Sequence, residues 1–283
     1  MSITPVDELL NRLKEAWAKL HPLQRSMLVR TATAMTHAPL LVKDPGSALL
    51  NDDQFREVLT NRLVAHHANH TEPLTKLSFE YAFVEACNAA GWSASRGKSA
   101  TFPGADIVVD GVGVSLKTQA DNNIKYGSIH ISKLRESASM KGKSGQSDYL
   151  WFVQSTLLPH LQSYDRVLML RAFSQTRIAS LRGGRPATII GSDAISHAEA
   201  TGCDVIYQLV EIPIALLRRV GTLIATDFAI VGTKGSARAL VSTDTGQPAF
   251  ELFFDGSDDK IQIQKLNIAY CTVHGTWSIP LPK

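Results

Sequence analysis

The chain has 283 residues, 44% of them hydrophobic and 19% charged, with a formal net charge of +3. That is long enough for one large domain or two modest ones, and no apolar run approaches the ~20 residues needed to cross a bilayer. Residues 1–20 lack the apolar core of a signal peptide, and the three scattered cysteines (Cys87, Cys203, Cys271) form no C-x-x-C pair. This argues against a disulfide frame or a cysteine zinc site and gives the expectation of a cytoplasmic protein with reduced thiols.

Residues 6–90 read as helical. Leu9, Leu10, Leu13, Trp17 and Leu20 recur at helical spacing with charges opposite, and a second helix is expected over Leu23–Met35. Pro39, Pro45 and Gly46 break the pattern. Asn51-Asp52-Asp53 caps a third helix reaching about His67. Pro73 opens a fourth, with Leu77, Tyr81, Val84 and Ala86 on its stripe and Gly91 as its stop. The trio His66, His67 and His70 reads as a solvated helix face, since it lacks an H-E-x-x-H frame.

After Gly91 short strand-like runs take over: Ala105–Val109, Val112–Thr118, Ser128–Ser132, Leu150–Ser155, Arg166–Arg171, Val205–Glu211, Phe250–Phe254, Ile261–Ile268 and Ala269–Trp277. The last two suggest a hairpin. Helices are expected over Ser132–Met140 and Pro213–Val220, and Gly/Ser-rich loops over Lys141–Ser147 and Arg182–Gly184. The expected class is α+β: a helical N-terminal layer (1–72), then a mixed-sheet core flanked by helices (73–283), the two forming separate units or one continuous domain.

The segment from Pro103 to Gln119 carries the chemistry. Asp110-Gly111 is a strong type I′ hairpin signal, because both central residues of that turn need positive φ. Closing the turn there pairs Val109 with Val112, Ile107 with Val114 and Asp106 with Ser115. Alternation then puts Ile107, Val109, Val112, Val114 and Leu116 on one face, and Asp106, Ser115, Lys117 and Gln119 on the other. A carboxylate, a hydroxyl, an ammonium and an amide on one patch suit metal-assisted phosphodiester hydrolysis. Asp106 would ligate a hard divalent cation, which acidifies water and offsets charge at phosphorus. Lys117 would orient or deprotonate the attacking water, or clamp a phosphate oxygen.

These residues resemble the PD-(D/E)XK nuclease superfamily, known best from type II restriction endonucleases. Phe102-Pro103-Gly104-Ala105-Asp106 stands for its first strand and Ser115-Leu116-Lys117 for its D/E-x-K tripeptide. Residues 78–85 look like its preceding helix, with Glu80 as the helix carboxylate. The resemblance covers roughly residues 75–155 and departs at Ser115, where most members carry a carboxylate. Some draw it instead from a helix after the hairpin, which makes Glu136 a second candidate beside Glu80. The resemblance implies a restriction-endonuclease-like core, Mg2+, double-stranded DNA cut at a short specific sequence, a place in a restriction–modification system, and a homodimer matching two-fold sites. Lys98, Gln119, Lys141, Lys143, Arg182 and Arg185 are the expected DNA contacts. Two other readings stand beside it: a structure-specific repair or recombination nuclease, and a DNA-binding protein of this fold without activity.

Rival motifs fare worse. Gly111–Thr118 lacks the second glycine of a phosphate-binding loop, Ser115 is not in a G-x-S-x-G elbow, and residues 255–259 are too short for an EF-hand.

Overall fold

A computed structural model describes residues 5–37, 39–97, 104–120, 124–136, 145–174, 205–231, 235–256 and 260–281. The fold is α+β and rests on two sheets. The larger contains β1 (Leu40–Lys43), β2 (Ala94–Arg96), β3 (Ile107–Val109), β4 (Val112–Gln119), β6 (Arg166–Ser174), β7 (Val205–Ile212) and β12 (Thr272–Ile279). Its order is β1-β12-β7-β6-β4-β3-β2, with β4 and β6 parallel and the other neighbours antiparallel. The smaller, antiparallel sheet runs β5 (Ser128–Glu136), β11 (Lys260–Asn267), β10 (Pro248–Asp255), β9 (Ser236–Ser242), β8 (Ala229–Val231).

Side-chain alternation along the large sheet divides the core in two. On β6, Leu168 and Leu170 join the cluster beneath α3 (Ala48–Asn51), α4 (Asp53–His67) and α5 (Lys76–Ala89). Val167 and Met169 turn the other way, onto α6 (Gln146–Phe152), α7 (Leu158–Gln162), α8 (Ile214–Arg218) and the small sheet. The first cluster joins Leu49 through Val64 to strand residues as late as Ile279, so helices before residue 72 and strands after it bury one surface. Asp52 caps α4 by accepting from Phe55 N, and Thr75 caps α5 by accepting from Ser78 N, so the latter helix starts at Lys76 instead of Pro73.

One expectation holds and three need correction. The first two helices form as α1 (Pro5–Lys19) and α2 (Pro22–Met35) but bury no residue; Leu9 and Leu13 are 63% and 55% exposed. The face of the large sheet beneath α3, α4 and α5 is filled by those three helices. Residues 150–155 are helical, not extended. Tyr149, Phe152, Val153, Leu157 and Leu161 make a helical stripe through α6, a π-turn and α7, as a crossover between parallel strands requires. The helix expected from Ser132 is strand β5 through Glu136, and residues 137–140 lie outside the described ones. Register shifts against β11 let Ile131 and Leu134, three apart, both point inward, which mimics helical spacing. Finally, β11 and β12 are no hairpin: the 3-10 turn Ile268–Tyr270 sends them to different sheets. Among the described residues no helix is long and apolar enough to cross a membrane.

Candidate active site

The β3–β4 hairpin closes where its turn residues demand. Asp110 and Gly111 take φ of +48° and +82°, and Val109 pairs with Val112 and Ile107 with Val114. Ile107, Val114 and Leu116 are buried against the helices. Asp106, just before β3, therefore meets Ser115 on the opposite surface. Ser115 Oγ donates to Asp106 Oδ2 at 3.0 Å, and Leu116 N–H donates to the same oxygen at 2.7 Å. Ser115 is 2% exposed, so its hydroxyl serves to orient Asp106.

Helix α5 brings Glu80, 8% exposed, to the same place. Lys76, one turn earlier, reaches both acids: its Nζ lies 2.6 Å from Asp106 Oδ1 and 3.6 Å from Glu80 Oε1. Arg96, delivered by β2 through its pairing with Ile107, donates to Glu80 Oε2 at 3.2 Å and stacks on Tyr81, its guanidinium carbon 4.2 Å from the ring centre. Neither Lys76 nor Arg96 was among the expected site residues. Lys76 was findable as the i−4 partner of Glu80; Arg96 depends on a strand register.

The electrostatics follow from crowding. Burial would raise the Asp106 carboxyl, but Lys117, Lys76 and the Leu116 N–H together hold it below the usual range. Burial pushes Lys117 down to about 8, with Lys76 and Lys133 adding to the effect and Asp106 and Glu80 opposing it. Behind this group lie His160, lowered to about 4 chiefly by burial, with Arg135 and Lys117 adding, and Tyr164, raised chiefly by burial and then by Asp106. No group of three or more His, Cys, Asp or Glu gathers in metal-binding geometry among the described residues. A cation here would thus rely on Asp106 and Glu80, with water and phosphate oxygens completing the shell. Mg2+ tolerates that donor set, since it keeps several waters and uses one or two carboxylates.

Of the remaining expected residues, Gln119 is 4% exposed, and its Oε1 accepts from the buried Arg171 at 3.2 Å. It also lines a cavity of about 420 Å³ with Lys125, Ser128, His130 and Lys265. Glu136 ends β5 opposite Lys260, on a strand instead of a helix behind the hairpin. Lys98, Lys141, Lys143, Arg182 and Arg185 lie outside the described residues. The histidine trio is not the solvated face expected: His67 is fully buried, its Nε2 2.7 Å from Tyr207 Oη and its Nδ1 2.9 Å from the His70 carbonyl.

A second charged cluster lies on the same sheet. Arg166 on β6 donates twice to Glu211 on β7, at 2.8 and 2.7 Å. His274 on β12 has Nε2 2.9 Å from Glu211 Oε2 and Nδ1 2.9 Å from Ser47 Oγ.

Comparison with known proteins gives two findings that agree. The family model for SmaI, described as a type II site-specific deoxyribonuclease, matches residues 14–180 and 193–279. The type II restriction enzyme SmaI of Serratia marcescens is 33% identical over 279 residues, covering 96% of this chain and 98% of its own. No solved structure matches the chain.

Proposed function

Because the chain belongs to the SmaI family of type II site-specific deoxyribonucleases, we propose that the cluster of Asp106, Glu80, Ser115 and Lys117 is where it cuts DNA. The chain is a restriction endonuclease, a hydrolase of DNA phosphodiester bonds. The finer reading is a PD-(D/E)XK centre in one continuous domain, Mg2+-dependent, acting in the cytoplasm as a homodimer on a short two-fold double-stranded site.

The observation that carries it is the meeting of Asp106 and Glu80, from two elements 26 positions apart in sequence, on one ammonium beside Lys117. Asp106 and Glu80 would hold Mg2+, with Ser115 Oγ and Leu116 N–H fixing the Asp106 carboxylate. When bound, the cation supplies charge neutralisation at phosphorus and acidifies water. Lys117, part neutral near its lowered pKa, takes or orients the proton of the attacking water. Water oxygen bonds to phosphorus and the bond to the 3′ oxygen breaks, leaving 5′-phosphate and 3′-hydroxyl ends. Asp106 and Lys76 side chains, 19% and 43% exposed, leave the centre within reach of a phosphate. Digestion of a sequenced phage genome with Mg2+, followed by end mapping, tests this reading. Discrete fragments sharing one short sequence at every end, lost with EDTA, are expected; random nicking, or cutting unaffected by EDTA, contradicts it.

A further inference from the structure

Resting on that reading of the site, we infer that Lys76 is a built-in counter-ion, occupying the position between Asp106 and Glu80 that the divalent cation takes and having to swing away before metal binds. Its Nζ lies 2.6 Å from Asp106 Oδ1 and within 3.6 Å of Glu80 Oε1, and no other side chain joins the two acids among the hydrogen bonds and ion pairs described. One ammonium thus does what a shared cation does, namely neutralise two carboxylates that would repel each other across a partly buried gap.

The placement is not explained by the helix. Lys76 opens α5 directly after the cap Thr75, in a first turn without an acidic residue. A cation is disfavoured at that end of a helix by the macrodipole. The compensating contacts are Asp106 and Glu80. The side chain is 43% exposed, so it has room to rotate outward, whereas Arg96 keeps its contact with Glu80 from the other side. The charge balance points the same way. With Lys76, Arg96 and a protonated Lys117 against Asp106 and Glu80, the cluster already carries up to one excess positive charge. A divalent ion added with Lys76 in place would add two more, which departure of that lysine or arrival of phosphate relieves.

Calorimetric titration of the DNA-free, full-length protein with Mn2+ tests this. K76M is expected to bind Mn2+ about tenfold tighter than the wild type, equivalent to ~1.4 kcal/mol. K76Q should behave alike and K76R should keep wild-type affinity. A residue that merely holds the fold together gives no such gain, because its loss cannot tighten a metal site. Wild-type or weaker affinity in both K76M and K76Q, with circular dichroism unchanged, overturns the inference. D106A separates it from the reading beneath. If D106A abolishes Mn2+ binding while K76M and K76Q match the wild type, only the counter-ion role falls. If D106A leaves Mn2+ binding intact, the metal reading falls and takes the inference with it.

Discussion

Two clusters of acids and bases sit on the same large sheet, and their composition alone would not separate them. Around Glu211 the chain Ser47–His274–Glu211 has the residue types of a hydrolase relay. Yet Ser47 is 1% exposed, and its Oγ also accepts from Leu50 N at 3.1 Å, capping α3. Glu211 is gripped by both arms of Arg166 and by His274; although burial opposes it, these partners draw its carboxyl down to about 2. Around Asp106, by contrast, two acids share one half-exposed lysine, with Arg96 making a single contact to Glu80 and Ser115 Oγ and Leu116 N holding the other oxygen of Asp106. A planar fork on one carboxylate is a closed contact, whereas a flexible ammonium between two carboxylates is a displaceable one. The first arrangement fastens strands; the second, on the function proposed above, leaves a place for a ligand.

That contrast breaks if variants in the two clusters behave alike. The largest expected effect is on cleavage: K117M should lose about 10²–10³-fold in single-turnover rate while its melting temperature stays near wild type, since a half-buried ammonium without a hydrogen-bonded partner of its own among the described residues is exchanged for an apolar chain of similar length. Glu211→Ala should do the reverse. It should destabilise the protein by about 2–4 kcal/mol in urea titration, because Arg166 and His274 keep their positions without their acceptor, and leave the cutting rate of folded molecules unchanged. A rate loss in E211A without a stability loss would merge the two clusters.

Acid sharpens the comparison at a third place. Burial pushes His67 down to about 4, so it is neutral when folded. A lowered histidine pKa means protons bind the unfolded chain better. Its contribution is therefore complete above pH 6.5 and is lost as pH falls from 6.5 towards 4. Thermal melts should show this loss, and H67Q should flatten it; the Glu211 contribution declines in a separate window, below about 4.5. The smallest effect belongs to the turn. Gly111→Ala places a Cβ with nothing within 4 Å, but at φ +82°, so it should cost ~1 kcal/mol and spare cleavage.

The hairpin was legible because two independent signals, the Asp110-Gly111 turn and the apolar alternation, allow one register only. Glu80 was legible through the resemblance, and Lys76 lay within reach of helical spacing. The contact of Arg96 with Glu80 was not, since β2 is three residues long and gains its meaning from pairing with β3. Short strands such as β1 and β8 carry too few residues to show a period. Leu150–Ser155 failed for the opposite reason: a continuous apolar run fits a buried strand or a buried helix, and only the need to cross from β4 to a parallel β6 decides. The amphipathic stripe of α1 announced a helix correctly, but a stripe does not say what covers it.

The assignment of the reaction to Asp106 is tested most directly by linearisation of a plasmid carrying the mapped site, with Asp106→Ala in excess over DNA and Mg2+ present. No linear product over a time in which the wild type finishes, together with retained retardation of the same duplex, is the predicted result. Conversion to linear DNA at the wild-type rate would show that the chemistry happens elsewhere in the molecule.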